Sequence, residues 1–195
     1  MTPRPWIRSL LVMAFAAAPA GSAPLEYKVL ATSKTSTMEK ELNEAADAGF
    51  RFVGVMGGET AFGGSEVVAV VQREGGKTAE GAARFAYKLL ATSKTSTMQK
   101  EMQEASDGGF HYVGQTVFSS AFGGDEVVVI MERPPAPEAQ KYEFLLLATK
   151  KTSTMQKELS EAGEAGYAFV GTTVSKTAFG GNEVVSILRR PAAAK

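Results

Sequence analysis

One phrase occurs three times in this chain of 195 residues, and it constrains the fold more than any other feature. Residues 31–42 read ATSKTSTMEKEL, residues 91–102 read ATSKTSTMQKEM, and residues 148–159 read ATKKTSTMQKEL. A second phrase, AFGG with EVV one residue later, begins at Ala61, Ala121 and Ala178. Similarity at a nearly fixed period marks one supersecondary unit that is repeated, so the sequence predicts three tandem copies of a unit of about 50 residues.

The first 20 residues have the pattern of a signal peptide. Arg4 and Arg8 give a basic start, residues 10–17 form a short apolar segment, and residues 18–20 read APA, an A-x-A cleavage motif. The apolar segment is shorter than the roughly 20 residues that span a bilayer. We therefore expect cleavage after Ala20 and export of the chain to the periplasm or the medium.

The composition of the remaining chain argues against several classes of function. It has no cysteine and one histidine, His111, so it lacks the ligand clusters of zinc sites and a catalytic base present in every repeat. Without Arg4 and Arg8, the 21 basic residues become 19 against 21 acidic ones, a net charge of −2. That charge does not attract nucleic acid or an anionic membrane. We expect no cofactor, no metal, no nucleic-acid partner and no transmembrane segment in the mature chain.

Each repeat begins with a strand, the polar KTST phrase and a helix. Met38, Leu42 and Ala45 are spaced i, i+4 and i+7, which places them on one apolar face of the first helix. Ser36 and the glutamate three residues later match a capping box, so Ser36 is the expected N-cap. Gly49 is expected to end the helix in a left-handed conformation, with the following aromatic packed against the last turn.

Two further strands complete the unit. The second contains a glycine, Gly54 in the first copy, over which we expect an aromatic side chain such as Phe62 to pack. The third strand, residues 67–71, is apolar on both faces and should lie between the other two, giving the strand order 1-3-2. The helix covers one face of such a sheet, so a neighbouring repeat or another chain must cover the other. The sequence thus predicts an α+β fold of three packed β-α-β-β repeats with approximate threefold repetition.

These patterns divide the chain into repeats joined by short linkers of Gly/Ala or Pro/Ala type. The expected segments are a signal peptide at 1–20, repeat 1 at 24–74, a linker at 75–84, repeat 2 at 85–133, a linker at 134–140, repeat 3 at 141–190 and a tail at 191–195.

The motifs of each repeat resemble a widespread family of small bacterial domains of unknown function. The shared pattern is Y-K-V, a helix with L-N-E-A-x-x-x-G-[FY], then F-V-G and V-V-x-x-x-x-R. That family has the order β-α-β-β and a G-W-E-x-V core phrase, whereas this chain has Phe or Tyr in place of the Trp and adds the KTST and AFGG phrases. The resemblance implies the fold and implies no activity.

The two recurrent phrases are the candidate sites. A helix N-terminus binds anions through its free N–H groups, so the KTST phrase is a candidate anion or ligand site, the alternative being that it only starts the helix. The AFGG hairpin is a candidate interaction surface, the alternative being that its Phe packs on the strand glycine and its Glu pairs across the sheet. The candidate residues are Lys34, Thr35, Lys94, Thr95, Lys151 and Thr152 in the first site, and Phe62, Glu66, Phe122, Glu126, Phe179 and Glu183 in the second.

These observations favour an exported, non-enzymatic binding or assembly protein that presents three similar surfaces to a partner protein or an envelope polymer. The alternative is a small-molecule or anion binder, or a hydrolase without recognisable motifs, that uses the KTST phrases or pockets between repeats. A second sheet face without a cleft favours the first function, and a pocket ringed by the three KTST phrases favours the second.

A chain produced with its own leader should be processed on export. The intact mass of the exported protein should correspond to an N-terminus at Gly21, because the A-x-A motif ends at Ala20. Full-length protein recovered from the cytoplasmic fraction would contradict this expectation.

Overall fold

The computed structural model describes residues 23–59, 65–76, 84–120, 124–136, 140–176 and 182–193. Each repeat forms one helix and one three-stranded antiparallel sheet. Repeat 1 comprises β1 (Leu25–Thr32), α1 (Thr35–Asp47), β2 (Arg51–Glu59) and β3 (Ser65–Glu74). Repeat 2 comprises β4 (Ala86–Thr92), α2 (Thr95–Asp107), β5 (His111–Ser120) and β6 (Gly124–Arg133). Repeat 3 comprises β7 (Tyr142–Thr149), α3 (Thr152–Glu164), β8 (Ala168–Lys176) and β9 (Asn182–Pro191).

The third strand of each repeat lies at the centre of its sheet, because it is apolar on both faces. The orders are β1-β3-β2, β4-β6-β5 and β7-β9-β8, which confirms the predicted α+β fold with strand order 1-3-2. The second strand bulges just before its glycine, between Phe52 and Gly54 and at the equivalent positions of β5 and β8. The glycine therefore lies at a local break in the register.

The helices end as the sequence predicts. Gly49, Gly109 and Gly166 have φ angles of 84°, 83° and 82°, in the left-handed region that favours glycine. The next residue, Phe50 in repeat 1, donates its N–H to the Ala45 carbonyl oxygen at 2.9 Å. This pattern is a Schellman motif, which satisfies carbonyl groups at the end of the helix.

The predicted capping box is wrong. The helices begin at Thr35, Thr95 and Thr152, so the N-cap residue is a lysine, Lys34 in repeat 1, and no side chain makes a capping hydrogen bond. The N–H of Lys34 instead donates to the hydroxyl of Thr32 at 3.2 Å, which closes the turn between strand and helix. Because the helix starts before Ser36, Glu39 falls in the second turn and reaches the neighbouring repeat.

The three repeats stack in a line with the same contacts at each step. On one side, α1 lies between its own sheet and β4, and α2 lies between its own sheet and β7. On the other side, β2 contacts β5 directly and β5 contacts β8. At the closest point, a Cβ atom on Gly57 would collide with the carbonyl oxygen of Val117. Glycine thus permits the close approach of β2 to β5.

The hydrophobic core consists of clusters that each span two consecutive repeats, and among the described residues no repeat has a core of its own. One buried cluster joins the helix-covered face of repeat 1 to the opposite sheet face of repeat 2, and a second joins repeats 2 and 3 in the same way. The main members of the first are Met38, Leu42, Val67, Val71, Tyr87, Phe118, Val128 and Ile130, and those of the second are Met98, Met102, Val129, Met131, Phe144, Leu146, Val185 and Ile187. Each core therefore needs two consecutive repeats.

An isolated repeat 1, residues 24–74, should be poorly folded, because its helix loses the sheet that covers its outer side. The chain 21–195 should melt in one cooperative transition, measured by circular dichroism and calorimetry. Three isolated repeats that each melted at the temperature of the whole chain would contradict a shared core.

Candidate interaction surface

Between repeats, the helix of one repeat covers a sheet face of the next through apolar contacts. Met38 and Leu42 of α1 are fully buried and pack with Val128 and Ile130 of the central strand β6. The edge strand β4 adds Tyr87, which is 4% exposed. Burying one apolar side chain of this size contributes roughly 1.5–3 kcal/mol to the stability of the fold.

Side chains of α1 and α2 also pair with backbone groups of the next repeat's edge strand. The Glu39 carboxylate accepts the N–H of Leu89 at 2.8 Å, and Asn43 both accepts the N–H of Tyr87 at 2.9 Å and donates to its carbonyl oxygen at 3.0 Å. In the next interface, Gln99 accepts the N–H of Leu146 at 2.9 Å. Gln103 of the same helix accepts the Phe144 N–H at 3.2 Å and donates to the Tyr142 carbonyl at 3.1 Å, so each helix pairs with groups that a sheet edge otherwise leaves open.

An ion pair between the exposed Arg51 and the buried Glu132 adds to the contact between repeats 1 and 2. Glu132 is 5% exposed and accepts hydrogen bonds from Arg51 at 2.7 Å and from the Tyr87 hydroxyl at 2.8 Å. The same hydroxyl accepts the N–H of Phe52 at 2.8 Å. Burial raises the pKa of Tyr87 far above its ordinary value, which keeps the hydroxyl protonated and donating. This cluster fixes the position of repeat 1 on repeat 2.

An aromatic residue of repeats 1 and 2 lies over the strand glycine of the next repeat. A Cβ atom on Gly114 would lie 3.0 Å from the ring of Phe52, and one on Gly171 would collide with the hydroxyl of Tyr112. The expectation of an aromatic over this glycine is therefore met by the preceding repeat; Phe62 lies outside the described residues. Gly54 is the exception, because nothing lies within 4 Å of its Cβ position.

The sheet face of repeat 1 that points away from α1, which we call the open face, carries exposed apolar side chains. Tyr27 is 60% exposed and Val29 is 63% exposed. Their equivalents Tyr87 and Leu89 in repeat 2 are buried and half-buried under α1. On the outer strand β2, Met56 is also largely exposed. Repeat 1 has no preceding repeat among the described residues, so its face is left open.

The opposite end of the stack is also apolar and incompletely covered. Phe169 of β8 is 52% exposed, whereas its equivalent Phe52 is 9% exposed. Met155 and Leu159 of α3 are half-buried where their equivalents in α1 are fully buried. The large apolar side chains that are exposed among the described residues all belong to the two terminal repeats: Leu25, Tyr27, Val29, Val53, Met56, Phe169 and Val174.

The KTST phrases lie at the helix N-termini and are not brought together. Lys34, Lys94 and Lys151 are the exposed N-cap residues, followed by Thr35, Thr95 and Thr152 as the first helical residues. A groove of about 460 Å³ includes residues of the first phrase, and one of about 370 Å³ includes a residue of the second. Neither groove combines two phrases. Three acids and one base line the larger groove, namely Glu39, Glu101, Glu104 and Lys88.

The AFGG hairpins cannot be placed completely. Phe62, Phe122 and Phe179 lie outside the described residues. Glu66, Glu126 and Glu183 are half-buried near the start of the central strands, at equivalent register positions opposite β2, β5 and β8. The described part of the chain therefore positions the glutamates of this predicted surface and not its phenylalanines.

The described ranges of the chain contain neither a group of metal-ligating side chains nor a membrane-spanning helix. No three His, Cys, Asp or Glu side chains in these ranges are grouped so that they could hold a metal ion. The helices, each of 13 residues, are too short and too polar to cross a membrane.

Comparisons with known proteins returned no match to a family model, to a curated protein or to a solved structure. The resemblance to small bacterial β-α-β-β domains therefore stays a prediction based on motifs.

Sequence reasoning did not find the open face, although one signal pointed to it. A central strand that is apolar on both faces requires a cover on each side. In a stack of three repeats with one helix each, one end face must lack a cover. The repeated phrases do not reveal which end, because Tyr27 and Tyr87 lie in nearly identical sequence.

Replacing Gln99 with Ala should lower the free energy of unfolding by about 1–3 kcal/mol, because the Leu146 N–H loses its partner in a partly buried contact. Gln156→Ala is the matched control: this exposed glutamine has the same helix position and bonds only within α3. We expect less than about 0.5 kcal/mol for Gln156→Ala and for Ser96→Ala, which removes no capping bond. Urea denaturation in dilute solution measures all three. A loss for Ser96→Ala as large as that for Gln99→Ala would contradict the structural assignment.

Proposed function

We propose that this chain is an exported, non-enzymatic assembly protein that binds a protein partner through the open face of repeat 1. One observation carries the proposal: Tyr27 and Val29 are exposed on that face, whereas their equivalents in repeats 2 and 3 are buried or half-buried. Contiguous exposed apolar surface of this kind is typical of protein–protein contacts.

The edge of the open face supports a protein partner in particular. β1 is an edge strand that pairs with β3 on one side. Its equivalents β4 and β7 have their outer edges paired by Asn43 and by Gln99 and Gln103. A protein partner that presents amide side chains or a strand can satisfy the backbone groups of β1 in the same way.

The proposal places the contact at an end of the stack rather than on three equal surfaces. The stacking of repeats covers the equivalent faces of repeats 2 and 3, so one of the three faces stays open. Terminal repeats of stacked proteins ordinarily carry a polar outer face that keeps them soluble. Repeat 1 instead exposes Tyr27, Val29 and Met56.

The geometry gives less support to the alternative of a small-molecule or anion binder. The grooves beside the KTST phrases are separate, and the charged residues lining the larger one are three glutamates and one lysine, a net negative charge that repels anions. The lysines of the phrases are not among the residues lining either groove. With the leader expected at 1–20, we expect the protein partner to lie outside the cytoplasm.

A photoreactive amino acid placed at Val29 in the exported chain should give a cross-linked adduct of defined mass in cells. The same amino acid at Lys100 is the control, because that side chain is 78% exposed and lies on α2, away from the open face. We expect an adduct at position 29 and none at position 100, and mass spectrometry of the adduct identifies the partner. Equal labelling at both positions, or none at either, would rule out binding through the open face.

A further inference from the structure

We propose that the chain associates head to tail, with the repeat 3 end of one copy stacked on the open face of repeat 1 in the next copy. This inference rests on the proposed function and names its partner as a second copy of this chain. It follows from the stacking itself: the two free ends are the two halves of the interface that joins repeat 1 to repeat 2 and repeat 2 to repeat 3.

The repeat 3 end retains the apolar residues that the other repeats use to cover their neighbours. Met155 and Leu159 occupy the helix positions of Met38 and Leu42, which are fully buried against repeat 2. In α3 these two side chains are half-buried, and only Ala162 is fully covered. The helix thus has the contact face of α1 without the sheet that covers it.

An aromatic ring and a glycine are left unmatched at the two ends. In the internal interface, Phe52 lies over Gly114, with 3.0 Å between its ring and the Cβ position of the glycine. Phe169 is the equivalent aromatic at the repeat 3 end and is half exposed. Gly54 is the equivalent glycine on the open face, and its Cβ position has no atom within 4 Å. Head-to-tail stacking places Phe169 on Gly54.

The polar groups at the two ends also correspond. Gln99 accepts the N–H of Leu146 at 2.9 Å across the internal interface. Gln156 has the helix position of Gln99 and is exposed, and Val29 has the strand position of Leu146. The same stacking therefore brings the Gln156 amide to the N–H of Val29.

The charges at the ends permit the contact and make it weaker than the internal one. Arg51 and Glu132 form an ion pair between repeats 1 and 2. Ala168 and Gln72 occupy the equivalent positions at the two ends. At these two positions the contact between copies therefore has neither a like-charge pair nor the ion pair, and the contact should be reversible with concentration. Each copy has one head, the open face of repeat 1, and one tail, the repeat 3 end. Association therefore continues as an open chain unless the rotation between copies closes a ring.

Sedimentation velocity over a concentration series of residues 21–195 tests the proposal. The wild-type mass should increase with concentration beyond that of a dimer. Val29→Glu on the head and Phe169→Glu on the tail should each stay monomeric with an unchanged melting temperature, since both side chains are exposed in the single copy. Ser93→Glu, which adds the same charge at an exposed position of repeat 2, should associate like the wild type.

Mixing the two end variants establishes the direction of stacking. The Val29→Glu chain keeps its tail and the Phe169→Glu chain keeps its head, so an equimolar mixture should form a dimer and stop there. A wild type that stays monomeric at every concentration would overturn the proposal. So would self-association of Phe169→Glu alone, since that result indicates head-to-head contact.

Gly54→Ala probes the register of the contact. The added methyl group meets nothing within 4 Å in its own chain, so the melting temperature of the monomer should not fall. It should weaken association on the order of tenfold, because it enters the position that the Phe169 ring occupies. Unchanged association would overturn this register. A monomeric wild type that still cross-links at position 29 to a different protein would refute self-association and leave the proposed function standing.

Discussion

Each repeat of this protein has a sheet with two apolar faces and one helix to cover them, and the rest of the structure depends on that mismatch. The central strands alternate their side chains between the faces, so that Val127, Val129 and Met131 pack under α2 while Val128 and Ile130 face α1 of the preceding repeat. A repeat therefore cannot bury its core alone. Stacking in one direction covers the faces between the repeats and leaves apolar side chains exposed at both ends of the stack.

Apolar burial drives the stacking of the repeats, and polar contacts determine the position of each helix along the next repeat's edge strand. Asn43 and Glu39 pair with backbone groups of β4, and Gln103 and Gln99 do the same for β7. Such bonds contribute less to stability than the apolar contacts, but leaving the groups unpaired in a partly buried site costs more than the bonds contribute. The helix is thereby held at one position along the edge strand, which keeps the same step between successive repeats.

The differences between the three copies follow their positions in the stack. The apolar contact residues are kept in all three, as Met38, Met98 and Met155 show. The edge-pairing position changes from Asn43 to Gln103 to Ser160, and Ser160 bonds back to its own helix instead of to a following strand. Repeat 3 thus has the apolar half of a stacking interface and a reduced polar half.

The sequence by itself determined the repeated β-α-β-β unit, the central position of the third strand and the glycine that ends each helix, because these depend on spacing and backbone conformation within about 50 residues. It missed the helix start, since a match to the capping box at Ser36 could not show that Glu39 bonds to another repeat. Only the tertiary structure decided which equivalent residues are exposed. Tyr27 and Tyr87 have nearly the same neighbours in sequence, yet Tyr87 is buried under α1 and Tyr27 is 60% exposed. Burial is a property of what packs next in space, and a repeated sequence is the same wherever in the stack it falls.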